Sequence, residues 1–335
     1  TEPEPTLSPE QQEANAESFH EVWTAVNKTF WDPDFGGVDW EAVRSNYAPQ
    51  VAAATTQSEA RSLIKQALEE LGESHFYVIP SELYEDMTSG PKGNGECGFR
   101  VRVIDGRVIV VKILAGSPGE EAGIQRGWEL LAAGDSELPA FIEKLASEYE
   151  GSNTITSKLS SAARGKLRGE VGDELPLRFL DGEGGERALS LQLAEPQGHK
   201  TVFSNLPPAW VRIEADRLAG DIGYISLNLF MDPTFSRGEV EKAMTSFQDC
   251  RGVVLDLRGN GGGIAGMAPG VAGWFVHESD VSLGQMFTRD SHLNLRVRPR
   301  PKAYVGPVAV LVDGLSASTS EFLAAGLQLS LIHIS

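Results

Sequence analysis

The 335-residue chain carries 29 basic and 47 acidic residues, a formal net charge of -18, and 41% hydrophobic residues. That length and apolar content support two or three domains with buried cores, while the acidity argues against nucleic acid or an anionic membrane as the main partner. Cys97 and Cys250 imply neither a disulfide framework nor a metal cluster, and no apolar run reaches the roughly 18 residues of a transmembrane helix. Nothing depends on reduced thiols, which admits a periplasmic or other extracytoplasmic home. The polar start Thr1-Glu2-Pro3-Glu4-Pro5-Thr6 reads either as a linker left after removal of a signal segment or as the ragged start of a partial chain.

Residues 1–85 read as a small helical cap. Ser8-Pro9-Glu10-Gln11 supplies an N-cap, a proline at the first helical position and a glutamine three residues beyond the cap. Phe19, Val22, Trp23, Val26 and Phe30 then recur at helical spacing. Asp39 predicts the cap of a second helix with Trp40, Val43 and Tyr47 on it. Thr56 and Glu59 predict a capping box for a third, which carries Leu63, Ile64, Ala67, Leu68 and Leu71 and stops at Gly72.

Residues 95–194 read as a β-rich module. Gly98 to Val103 and Arg107 to Leu114 are rich in Val and Ile and are joined by the turn pair Asp105-Gly106. Gly116 to Ile124 predicts a turn and a short helix, Trp128 to Leu131 a strand, and the polar stretch Gly151 to Gly169 an inserted loop or helix. Leu175 to Leu180 and Ala188 to Leu193 predict a hairpin around Asp181 to Gly185. Beyond a linker at Pro196-Gln197-Gly198, residues 200–328 alternate strands with helices. The strands are Ile222 to Leu227, Gly252 to Leu257 and Val308 to Val312; the helices are Arg237 to Phe247, Ile264 to Phe275 and Ser318 to Leu327. That alternation predicts an α/β layer. The last stretch, Leu329-Ser330-Leu331-Ile332-His333-Ile334-Ser335, resembles a translated sequencing adaptor, so 329–335 is expected to be a non-native tail after Gln328.

Two strand–loop–helix segments carry the chemistry. Val253 to Gly263 ends in a loop of bare backbone N–H groups, and Val308 to Glu321 ends in serines at a helix start. Acyl transfer needs both a nucleophile and an oxyanion hole. Each has a rival reading. Ser318-Thr319-Ser320-Glu321 also fits a capping box. Gly261-Gly262-Gly263-Ile264-Ala265-Gly266 also fits a dinucleotide fingerprint with Asp280 downstream, although that acid sits in a polar turn rather than at a strand end.

Asp256-Leu257-Arg258-Gly259-Asn260-Gly261-Gly262-Gly263, followed by Gly314-Leu315-Ser316-Ala317-Ser318-Thr319-Ser320-Glu321, resembles the S41 serine peptidases. These are the tail-specific, or carboxyl-terminal-processing, proteases and include the tricorn core protease. Cys97-Gly98-Phe99-Arg100 and Gly116 to Gly134 resemble the PDZ module such peptidases carry. The resemblance implies an α/β fold: a crotonase/ClpP-like peptidase domain with an N-terminal helical cap and an embedded PDZ-like β module. Position by position it implies Ser318 as nucleophile, the N–H groups of Gly262 and Thr319 as oxyanion hole, and Glu321 as a supporting residue that orients the helix start. Ser74-His75, just before the β module, matches the tricorn-like branch, with His75 as base and Ser74 orienting it.

The other branch of the family uses a lysine from a strand beyond the nucleophile. That lysine, like the downstream glutamate of the tricorn-like branch, is not found before Gln328. The sheet elements that would follow Gln328 and support the nucleophile helix are also not in the sequence, so the chain as it stands is expected to be inactive. Gly98 and Phe99 are expected to hold the C-terminal carboxylate of a polypeptide substrate added as a strand. No metal or cofactor is implied. The alternative, from another class, is a catalytically silent peptide- or lipid-binding protein on the same scaffold.

Overall fold

The N-terminal helices begin where their side chains can occupy orphan backbone groups. In the computed structural model, which describes residues 5–73, 76, 78, 93–148, 155–203 and 208–331, helix α1 spans Pro9–Thr29 behind a complete capping box. Ser8 Oγ accepts the Gln11 N–H, and Gln11 Oε1 accepts the Ser8 N–H at 2.8 Å. Helix α2 (Trp40–Ala53) is capped by Asp39, and α3 (Gln57–Glu69) by Thr56. The expected box at α3 differs in one half. Glu59 reaches back past the cap to the Thr55 N–H at 2.7 Å, one residue earlier.

Phe19, Trp23, Val26, Trp40, Val43, Val51, Ile64 and Leu68 share one buried apolar cluster. Trp23 and Trp40 lock α1 to α2, each donating its indole N–H to the other's carbonyl oxygen. This helical unit, Thr1–Ser81, includes the segment Gln285–Asn294, whose Arg289 donates to the Phe30 carbonyl at 3.2 Å.

The second unit comprises Glu82–Gly284 and Leu295–Ser335 and holds two further cores. Its first part is a β-rich module with a short pair, β1 (Gly95–Glu96) against β6 (Arg168–Gly169), and a six-stranded sheet. The sheet strands are β2 (Phe99–Ile104), β3 (Arg107–Ile113), β4 (Glu129–Ala133), β5 (Ser136–Glu137), β7 (Glu174–Leu180) and β8 (Glu186–Gln192). The order is β2-β3-β4-β7-β8, with β5 paired to β4, so β2 is an edge strand among the described residues. Asp105 and Gly106 both take positive φ, 49° and 77°, as a two-residue hairpin turn requires. Helices α4 (Pro118–Glu121), α5 (Leu138–Glu148) and α6 (Ile155–Gly165) complete the module. Phe99, Val101, Val110, Leu130, Leu138, Ile142, Leu159, Ala163, Leu177 and Phe179 fill its core.

The second part begins with a paired β9 (His199–Thr201) and β10 (Ala209–Val211). A four-stranded sheet follows, of β11 (Ile213–Leu218), β12 (Ile222–Leu227), β13 (Gly252–Asp256) and β16 (Val308–Leu311). β11 runs antiparallel to β12, while β12, β13 and β16 are parallel neighbours. Helix α7 (Pro233–Ser246) connects β12 to β13. The short α8 (Ala268–Ala272) and the hairpin β14 (Ser282–Phe287) with β15 (His292–Arg296) lie between β13 and β16, and α9 (Thr319–Leu331) follows β16.

The continuous helix expected over 264–275 is broken. A 3₁₀ turn over Ala265–Met267 precedes α8, because Gly266, Pro269, Gly270 and Gly273 weaken an unbroken helix. Ile225, Leu255, Leu257, Met244, Ala268, Ala272, Leu323 and Leu327 belong to the shared core of this α/β layer.

Candidate active site

Parallel pairing brings the two chemical loops together. β13 and β16 align Val253 with Val308 and Asp256 with Leu311, so both chains leave the sheet at the same carboxyl edge. Loops at that edge are where open α/β sheets bind ligands. The Leu257 N–H extends the ladder to the Leu311 carbonyl at 2.8 Å. From there the glycine loop and the serine turn run side by side.

Asn260 ties the loops into one body. It is completely buried. Its Nδ2 donates to the Leu227 carbonyl at 2.9 Å, and its Oδ1 accepts the Gly262 N–H at 2.8 Å. Its own carbonyl accepts the Ala317 N–H at 3.0 Å and the Ser320 hydroxyl at 2.9 Å. Thr319 Oγ1 adds a bond to the Gly263 carbonyl at 2.9 Å, and Ser316 Oγ one to the Leu257 carbonyl at 2.8 Å. Asp313 is a second knot. Its Oδ1 accepts the Gly259 N–H at 2.9 Å and the Leu315 N–H at 3.0 Å, and its Oδ2 meets Arg102 of the β module at 3.1 Å. Neither Asn260 nor Asp313 was singled out from the sequence for these roles. Their signal is weak: an amide inside a glycine run and an acid just past a strand end.

Ser318 sits at the start of α9 with φ at +55°, a left-handed conformation that costs a serine free energy. Its residue is exposed. Its N–H donates to Glu321 Oε2 at 2.7 Å, and its carbonyl accepts the Phe322 N–H at 3.0 Å. Only the Glu321 half of the expected capping box therefore forms. The Ser318 hydroxyl has no hydrogen-bond partner among the described residues. As the first residue of α9, Thr319 likewise presents an N–H without a partner there, beside the positive end of the helix dipole.

Gly262 packs directly on this turn. A Cβ built there would lie 2.7 Å from the Ala317 carbonyl oxygen, 2.8 Å from the Ser318 Cβ and 3.0 Å from the Thr319 nitrogen, and φ is +96°. Glycine is required on both counts. One expectation needs correction: the Gly262 N–H, read from the sequence as an oxyanion donor, is committed to Asn260 Oδ1. The neighbouring N–H groups of Gly261 and Gly263 have no partner among the described residues.

Asp256 closes the strand below the loop. It accepts the Tyr224 hydroxyl at 2.7 Å and three bonds from Arg258, from its backbone N–H at 2.9 Å and from its guanidinium at 2.9 and 2.7 Å. Burial pushes its carboxyl up, but the Arg258 and Tyr224 bonds outweigh it and hold the pKa below the ordinary value.

Ser74 and His75 lie outside the described residues. Gly98 takes φ +74°, and its carbonyl accepts the Leu114 N–H at 2.8 Å and the Ser117 hydroxyl at 3.0 Å. Phe99 is buried against Phe179. Among the described residues no group of three His, Cys, Asp or Glu gathers as metal ligands, and no helix is long and apolar enough to cross a membrane.

Parts of the chain are similar to known proteins. Residues 11–69 match the tricorn protease C1 domain, and residues 221–333 match peptidase family S41. Carboxyl-terminal-processing peptidase 3, chloroplastic, of Arabidopsis thaliana is 26% identical over 92% of this chain and 57% of its own length. The carboxyl-terminal-processing protease of a Synechocystis strain is 25% identical over 91% of this chain and 66% of its own. The chain thus spans between about half and two thirds of these relatives. The solved photosystem II D1 C-terminal processing protease shares the mixed α/β fold, with a TM-score of 0.55 and 21% identity over 94% of this chain and 79% of that one. Over residues 221–333, where the glycine loop is held against the serine helix, the chain is similar to peptidase family S41, and over residues 11–69 to the tricorn protease C1 domain.

Proposed function

We propose that this protein is a serine endopeptidase that cleaves polypeptides near their C-termini through an acyl-enzyme at Ser318. One observation carries the reading: an exposed serine in left-handed backbone, its hydroxyl unpartnered among the described residues, packed against Gly262 and beside the open Thr319 N–H. Attack by Ser318 Oγ on a peptide carbonyl places the developing oxyanion at a helix N-terminus. Thr319 supplies one donor. The 261–263 loop supplies the other, through the N–H groups of Gly261 or Gly263, which have no partner among the described residues.

His75, oriented by Ser74, takes the hydroxyl proton and returns it to the leaving amine. Its support is the Ser74-His75 pair between the third helix and the β module. Glu321 orients the start of α9 through the Ser318 N–H. The β module acts as a PDZ-like substrate-tail reader on a crotonase/ClpP-like peptidase layer, and an extracytoplasmic home fits the absence of any reliance on reduced thiols. The test is labelling of the full-length gene product by a fluorophosphonate probe. Ser318→Ala is expected to abolish labelling, and labelling that survives the substitution overturns the assignment.

A further inference from the structure

We propose that helix α6 occupies the ligand edge of its own β module. Ser160 and Arg164 stand where a bound peptide strand would bond, and an extended peptide docks on β2 only by displacing them. The inference rests on the peptide-binding part of the reading above and not on the chemistry at Ser318.

β2 is an edge strand among the described residues. Its pairing with β3 sets Arg102 opposite Ile109 and Ile104 opposite Arg107. The backbone groups of Val101 and Val103 therefore face the other way, toward the open edge. Two of the four groups that an added strand would seek there are already taken. The Val103 N–H donates to Ser160 Oγ at 3.0 Å, and the Val101 carbonyl accepts Arg164 Nε at 3.2 Å.

The spacing explains why one helix can do this. Ser160 and Arg164 are four residues apart, about 6 Å along a helix axis, and Val101 and Val103 are two residues apart, about 6.7 Å along a strand. The order is reversed, the later helix residue meeting the earlier strand residue, as in an antiparallel partner. Leu159 and Ala163 pin the helix into the module core, and Ser160 is fully buried. Burial, with added like charge from Arg100 and Arg102, pulls the Arg164 guanidinium down to about 10. Its carbonyl bond therefore helps to keep that cation in place.

A peptide strand needs roughly 4.8 Å between its backbone and that of β2. A hydroxyl 3.0 Å from the Val103 nitrogen fills that space. Docking thus selects an opened state, and the measured affinity is the intrinsic one reduced by the open fraction.

The probe is a fluorescein-labelled octapeptide ending in Leu-Ala-Ala with a free carboxylate, read by anisotropy on the full-length protein carrying Ser318→Ala so that nothing is cleaved. Adding Ser160→Ala removes one competing hydrogen bond and is expected to tighten binding roughly three- to tenfold. Ser161→Ala, at an exposed position on the same helix, is expected to leave the affinity unchanged. Without the Ser160 variant, hydrogen exchange supplies the second reading: saturating peptide is expected to speed exchange of the α6 amides while Val103 stays protected. Equal affinity with and without Ser160→Ala, α6 exchange unmoved by bound peptide, or no binding by either protein overturns the proposal. Fluorophosphonate labelling at Ser318 plays no part in these readings, so each proposal can fail while the other stands.

Discussion

Gly262 lies against Ser318 so closely that a methyl group on it would sit 2.8 Å from the serine Cβ. Nothing in the intervening chain enforces this contact; the parallel ladder between β13 and β16 does. Gly262→Ala must therefore both abandon a φ of +96° and push Ala317 and Thr319 aside. Fluorophosphonate labelling of Ser318 is expected to slow by about 100-fold, the scale of a lost oxyanion donor, while the far-ultraviolet circular dichroism stays that of the folded protein. Labelling at the original rate would show that the loop and the nucleophile are not one site.

Asp313 links three elements through one carboxylate: the glycine loop by Gly259, the serine turn by Leu315, and the β module by Arg102. Asp313→Ala strands two backbone donors and the guanidinium together. Urea unfolding is expected to show a loss of roughly 2–4 kcal/mol. Asp313→Asn keeps an acceptor for Gly259 and Leu315 and gives up only the charge, so a smaller loss is expected. If the two variants are equally destabilised, the backbone bonds are not what Asp313 contributes.

The Asp256–Tyr224 bond gives stability a defined pH dependence. Asp256 has a folded pKa below its ordinary 3.8, since its hydrogen bonds outweigh its burial. A depressed carboxyl contributes stability present above its unfolded pKa and lost as pH falls through the folded one. Stability is therefore expected to fall on acidification below about pH 4. Tyr224 runs the opposite way. Burial first, and then its bond to Asp256, push the phenol up from 10.0 to about 12. Between pH 10 and 12 the folded state holds a proton that the unfolded state has lost, so stability declines as pH rises through that window. Urea midpoints across pH check both slopes: Asp256→Asn should flatten the acid one and Tyr224→Phe the alkaline one.

Local structure was legible wherever neighbouring residues decide it. Ser8 with Gln11, Asp39 and Thr56 announce helix starts, because a side chain two to four residues from an orphan N–H needs no tertiary partner. Asp105-Gly106 announces its hairpin for the same reason. Prediction failed where local signals conflict, as in the glycine- and proline-interrupted stretch after Ile264. The antiparallel strand Ile213–Leu218 was also missed, because its outer residues are exposed and lack an apolar rhythm.

The sequence by itself determined the inventory: a serine at a helix start, a glycine loop after a strand, and a β-rich module between helices and an α/β layer. Only the tertiary structure decided which of these meet. Strand register set the glycine loop beside Ser318, Asn260 claimed the Gly262 N–H, and Ser160 with Arg164 closed the edge of β2. Hydrogen bonds between residues 2 to 4 apart are written in the local chain. Those between residues some 60 apart, such as Ser320 with the Asn260 carbonyl, form only after packing has met the entropy of closing the loop between them.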